Sequence, residues 1–448
     1  MSATVLEEDT SYIIKLMQFI VPISFICFFL SGAVALVYEL TWLRLLRQIF
    51  GTDSLALSTM LTVFIGGIAV GTWLSGVIIN KYFRQHDYQS EEKNHIVRMA
   101  HSYILIYAYA FIELLLGVYA LMVPFLLGSN FLGKIWLPFA QIAVDNLMVG
   151  SLVKFVLSAI LLIIPTLLIG LSFPLLTELI NIDKAEHRDS QFAASNLYAV
   201  NTFGAIIGAA ICGFYLLPVF GLDFSTKIAV LGNLAIAILC YFCVFSNRTN
   251  FTNASLIGVC DFVCKLAKDN HDPDEKHEHS KEYKRVNYLL LLIAFTIGFI
   301  NLGLEVIWTK VLTLIIGSST YSLTIILIAV LGGISLGAFM LNYLIKIIDK
   351  FNLSYKSFLN YSLLSFACLI TISSSFFNKA PWYFLNLNQT IENILGYSPW
   401  LLSNIIKFMS IAAIIIPVTA FEGLIFAFVL YLVSGKTNMI ENRKLEPV

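Results

Sequence analysis

The feature that most limits how this chain can fold is a series of apolar runs. Each is close to the roughly 20 residues that a helix needs to cross the hydrocarbon core of a bilayer. Ten can be drawn with soft edges, at roughly 16–40, 55–80, 103–127, 152–181, 197–221, 225–246, 287–309, 320–345, 357–378 and 401–433. Two stretches between them, GSNFLGKIWLPFAQIAVDNLMVG and NKAPWYFLNLNQTIENILGYSPW, are too polar to span and read as interfacial or re-entrant pieces. Composition agrees. Of 448 residues, 58% are hydrophobic and 12% charged, whereas a soluble domain carries about 25% charge. The expectation is an all-α polytopic membrane protein of about 10 transmembrane helices. It divides into a first bundle of about six spans (1–246), a cytoplasmic linker (247–285), a second bundle of about four spans (286–434) and a polar tail (435–448). The formal net charge is zero, which gives a nucleic-acid partner no support.

Lysine and arginine bias sets the orientation. With the N-terminus inside, 20 of these residues fall on the inner side and 8 on the outer; without the long 247–285 loop the split is 13 to 8. Both termini are therefore expected in the cytoplasm. The AVA at 33–35 has the form of a signal-peptide cleavage site. The residues before it are acidic, however, and the segment recurs later in the chain, so no cleavage is expected. The sequons at Asn247, Asn250 and Asn253 fall on the cytoplasmic side and read as accidental. His271, His277 and His279 read as part of a solvated charged linker. Cys260 and Cys264 lie on an interfacial amphipathic stretch with poor spacing for zinc. No metal, cofactor or disulfide framework is expected; the seven cysteines lie mostly in apolar runs, as buried thiols do.

Sliding the chain by 266 residues brings many positions into coincidence. Gly32 meets Gly298, Glu39 meets Glu305, Trp42 meets Trp308, Arg44 meets Lys310 and Gly51 meets Gly317. Ser54 and Ser58 meet Thr320 and Thr324, and Gly66, Gly67 and Gly71 meet Gly332, Gly333 and Gly337. A weaker echo joins the stretch around Pro165 to that around Pro417, with the offset falling to 252 and a slip of one residue after the proline. Spans 1–4 thus match spans 7–10. Six spans separate the copies, an even number, so both point the same way. Two parallel repeats of six helices are the plan of major facilitator-type transporters, with the second copy here two helices short. The glycine pairs 67/71 and 204/208 have the G-x-x-x-G spacing of close helix packing. Pro165, Pro174 and Pro417 are expected to kink their helices.

At these residues the chain resembles a known family. LSGAVALVYELTWLRLLRQIFGTDSLALSTMLTVFIGGIAVG, PTLLIGLSFPLLTE (165–178) and LYAVNTFGAIIGAAICGFYLLPVFG (197–221) look like the membrane part of the fused membrane–spermidine synthase proteins. The resemblance implies a major facilitator-like bundle, sited in a bacterial inner (plasma) membrane. It does not extend to the soluble synthase part: no glycine-rich loop in a β–α context is present, and the catalytic residues of that part have no positions here. No catalytic residue is expected and the chain is not read as an enzyme.

Intramembrane carboxylates are costly and face a cavity or a partner. Five occur: Glu39, Glu113, Glu178, Glu305 and Glu422. In a major facilitator arrangement spans 1, 4, 7 and 10 line the central cavity, and four of the five fall there. Glu39, Glu178, Glu305 and Glu422, with Trp42, Trp308 and Asn201, are the candidate substrate-binding residues. They suggest a path for a cationic or polyamine-like solute, or for protons. A competing reading puts Glu39 and Glu305 near the outer ends of their helices. Trp42 and Trp308 would then sit in an aromatic belt, with Arg44 and Lys310 reaching headgroups. Asn201 and Thr202 would hydrogen-bond a neighbouring helix. Two functions follow: a transporter-like protein, or a non-catalytic scaffold or anchor for a separate synthase-like enzyme. The candidate partners are the lipid bilayer, a small cation, a soluble synthase-like protein or a second copy of the chain.

Overall fold

The computed structural model describes residues 3–50, 53–81, 94–128, 131, 133–135, 137–139, 146–183, 193–246, 288–317, 319–377, 379–396 and 400–434. The linker with its sequons, histidines and Cys260/Cys264, and the tail 435–448, lie outside these residues. Among the described residues there is no strand. The elements are α1 (Ala3–Phe50), α2 (Asp53–Ile79), α3 (Asn94–Leu126), α4 (Leu147–Asp183), α5 (Ala193–Ile211), a π-helical segment (Cys212–Leu216) and α6 (Leu217–Ser246). After the linker come α7 (Tyr288–Ile316), α8 (Thr320–Lys350), α9 (Tyr355–Phe377), α10 (Ala380–Leu395) and α11 (Trp400–Ser434).

Among the described residues nine segments are long and apolar enough to cross a membrane, which makes this an integral membrane protein. The difference from ten lies in one segment, Asn196–Cys243, whose 48 residues take in both the fifth and the sixth expected spans. A helix of that length would reach about 72 Å, more than twice the roughly 30 Å core. Its backbone breaks at Gly221, where φ is 77° and ψ −172°. Only glycine adopts that conformation cheaply. The stretch before α11 forms a 16-residue helix, α10, too short to span, ended by Gly396 in the left-handed region (φ 73°). Pro165, Pro174 and Pro417 lie inside the unbroken helices α4 and α11.

Lipid tails give helices no hydrophobic reason to associate, so close packing must come from shape. The heaviest packing joins α2 to α4 and α8 to α11, and the two pairs repeat each other contact for contact. A β-carbon placed on Gly67 would strike Thr166, on Gly71 the backbone of Leu167 and Gly170, and on Gly170 the backbone of Ile68. In the second pair Gly333 meets Thr419, Gly337 meets Ala420 and Leu424, and Gly423 meets Ile334. Both threonines bond to their own preceding turn, Thr166 to the Leu162 carbonyl (2.8 Å) and Thr419 to that of Ile415 (3.1 Å). Each threonine thus uses its hydroxyl inside its own helix while its Oγ1 and Cβ lie against the glycine.

α1 is seated on α5 in the same way, through Gly32 against Asn201, Gly204 against Phe29 and Gly208 against Ala33. α5 and the π-helical segment then cross to the second half. Asn342 donates to Asn196 (2.9 Å), Gly213 lies against Thr324, and Phe214 stacks on Tyr321 at 5.9 Å.

α1, α3 and α6 are tied by polar bonds instead. Glu113 accepts from Ser31 Oγ at 2.7 Å on one carboxylate oxygen and from Asn233 Nδ2 at 2.5 Å on the other. Tyr38 donates to Asn233 Oδ1 at 2.6 Å. Glu113, Tyr38 and Asn233 are fully buried. Beside them Cys27 and Cys240 are free thiols 3.7 Å apart.

Two outcomes follow for stability, both read by thermal unfolding of the solubilised protein. Gly67→Leu and Gly337→Leu force backbones apart and should destabilise by at least the ~1–3 kcal/mol of an overpacked core. Gly66→Leu, where a β-carbon meets nothing within 4 Å, should not. Equal effects at 66 and 67 would contradict the packing. Glu113→Ala strands the Ser31 and Asn233 donors, at about 1–3 kcal/mol each; an unchanged melting temperature would show that the network does not hold these helices.

Candidate functional site

α1 is anchored on one side by Tyr38, whose ring stacks on Trp42 (centroids 5.0 Å apart, 12° between planes) and whose hydroxyl is bound by Asn233 of α6. Trp42 also meets Phe64 of α2 edge-on at 6.5 Å. Glu39, one residue on, is turned about 100° round the helix. It lies within electrostatic reach of Glu305 on α7. Glu305 is in turn within reach of Glu422 on α11, and Glu422 of Tyr198 on α5. Tyr198 packs its ring on Phe426 at 5.5 Å. One turn before Glu305, the Asn301 side-chain oxygen is buried with no hydrogen-bond partner.

The structure therefore brings together Glu39, Glu305 and Glu422, carried by helices of both halves. Glu305 and Glu422 are buried and Glu39 is partly buried. For both Glu39 and Glu422 the neighbouring charge is the Glu305 carboxylate. Like charges in a poorly polarisable interior repel strongly. Such a set calls for protons or a cationic guest. With the Asn301 oxygen and the Tyr198 hydroxyl it forms an acceptor-rich group suited to an ammonium or another donor cation.

Depth separates these residues from Glu178. From the middle of their spans (Ile20–Gln48, Tyr288–Ile316, Leu402–Val433), Glu39, Glu305 and Glu422 lie within about 8 Å along the helix axis. Glu178 lies about 21 Å from the middle of Met148–Ile180, close to the end of that span. It is partly buried and has contacts of its own.

The aromatic-belt reading is corrected. Trp42 is fully buried and Trp308 is 3% exposed, each inside a hydrophobic cluster. α1 runs on to Phe50, so Glu39 and Trp42 are not at its end. Arg44 is partly buried and within electrostatic reach of Cys212, and Lys310 is exposed. Neither cation of the repeat answers its carboxylate. Asn201 serves packing, with its backbone and side-chain oxygens against Gly32. Thr202 bonds within its own helix, to the Tyr198 carbonyl at 2.9 Å, rather than to a neighbour. Asn301 was not among the sequence candidates. An amide inside an apolar run, one turn from the repeated glutamate, was the available signal.

Compared with known proteins, the chain matches no protein-family model, and a search of curated proteins finds no match.

Proposed function

We propose that this protein is a transporter-like carrier, of major facilitator plan, that moves a small cationic, polyamine-like solute along a path between its two halves. The observation that carries the reading is that Glu39 and Glu422 are each within electrostatic reach of Glu305, with all three near the middle of their apolar spans. Intramembrane carboxylates of this kind mark ion and substrate pathways. Asn301 and Tyr198 add neutral oxygens that could bind a second ammonium or the methylene-linked amine beside it. The repeated α2–α4 and α8–α11 packing supports two like-built halves able to rock about the site. The likeness of three stretches to the membrane part of fused membrane–spermidine synthase proteins points to the same solute class. The lysine and arginine bias favours both termini in the cytoplasm, as in a bacterial plasma membrane.

Uptake of labelled putrescine or spermidine into proteoliposomes tests this. Vesicles holding the wild-type protein should take up the amine faster than protein-free vesicles. Glu39→Gln with Glu305→Gln should abolish uptake while leaving the melting temperature near that of wild type. Absence of uptake by the folded wild type, or uptake unchanged in the double variant, would remove the proposal.

A further inference from the structure

The 266-residue register relates surfaces as well as side chains. α5 fills the corner between α1 and α8, as the glycine seam on α1 and the Asn196–Asn342, Gly213–Thr324 and Phe214–Tyr321 contacts on α8 establish. Moved by the register, that corner becomes the one between α7 and α2. On α7 the counterpart of buried Gly32 is Gly298, which is exposed and would carry a β-carbon without meeting any atom within 4 Å. Phe29 and Ala33, against which Gly204 and Gly208 pack, correspond to Phe295 and Phe299, each 71% exposed. On α8, Ser335 shares a helix face with Thr324 and Asn342 and is buried. The α2 counterparts of Ser335 and Asn342, Ala69 and Gly76, are exposed, and Gly76 too meets nothing. In an apolar 18-residue stretch of α7 only 11% of the residues are buried, against 56% in the like stretch of α1.

Among the described residues one corner thus holds a helix and its counterpart holds none. By composition, 435–448 is a polar stretch and 247–287 has no apolar run near the roughly 20 residues of a span. α7 is itself both a wall of the corner and an uncovered helix. Gly298 leaves an open notch on α7 of the kind that lets helices approach closely, with exposed Phe295 and Phe299 beside it. A helix that carries both hole and knob meets the condition for an isologous twofold contact. At about 150–250 Å² per buried phenylalanine, these two rings offer on the order of 250 Å². That is nearly a third of the ~800 Å² per partner of a stable interface, before Leu292 and the α2 wall are counted.

We propose that the α2–α7 corner receives α7 of a second copy of this chain. The result is a parallel homodimer whose twofold axis runs along the membrane normal and whose crossing point is Gly298.

Photobleaching of singly labelled protein in vesicles, over a series of protein-to-lipid ratios, tests this. The wild type should bleach in two steps at ratios where random co-occupancy gives one. Gly298→Leu should weaken association about tenfold or more, and Gly76→Leu, on the other wall, should do the same. Both positions are open in the single chain, so melting of the dilute, monomeric protein should be unchanged. One-step traces for the wild type throughout would overturn the proposal. So would undiminished dimers in both variants, or a different polypeptide seated on α7 in place of the second copy.

Discussion

Helices in a bilayer are held by how closely their backbones approach, because the surrounding tails are as apolar as the side chains they would replace. In this protein the placement of the buried carboxylates Glu39 and Glu422 depends on that approach. Gly333, Gly337 and Gly423 fix α11, and with it Glu422, against α8. Gly32, Gly204 and Gly208 fix α1, and with it Glu39, against α5. Gly213 then carries α5 across to Thr324 of α8, so the two seams are linked. A carboxylate trio drawn from three helices needs each to be placed to within a fraction of a helix radius, and packing without side chains between the backbones gives that precision.

The buried carboxylates divide into two kinds. Glu113 is closed: each oxygen has a donor, from Ser31 and Asn233, and its neighbours are in turn satisfied by Tyr38. Such a fully bonded group locks helices together. Glu39 and Glu422 differ: each has Glu305 within electrostatic reach, and the unpartnered Asn301 oxygen lies one turn before Glu305 along α7. Burying three acids costs several kcal/mol per unpaired charge, so this group is set apart from Glu113 by what would have to offset that cost: protons or a cationic guest.

Much of this was legible in the sequence because it is local or periodic. The apolar runs gave the spans, and the G-x-x-x-G spacing gave the α2 seam. The repeat singled out Glu39 and Glu305 before any geometry. What stayed hidden depends on rotation and on distant partners. Trp42 and Trp308 looked interfacial because they follow apolar runs, yet α1 continues well past Trp42, and Tyr38 and Phe64 enclose its ring. The bond between Glu113 and Asn233 joins residues 120 apart, a pairing no spacing rule supplies. Asn201 read as a polar link between helices and proved to be the surface on which Gly32 rests. Glu178, on a cavity-side helix by number, lies too far along its span to join the trio.

The most direct measurement of the central claim is a cross-link across the halves. In a variant stripped of native cysteines, Glu39→Cys and Glu305→Cys should form a disulfide within one chain rapidly on mild oxidation, and neither should react with reagents confined to the lipid phase. Two thiols that fail to join, and that are modified from the lipid side instead, would mean these acids face outward and that no shared site lies between the halves.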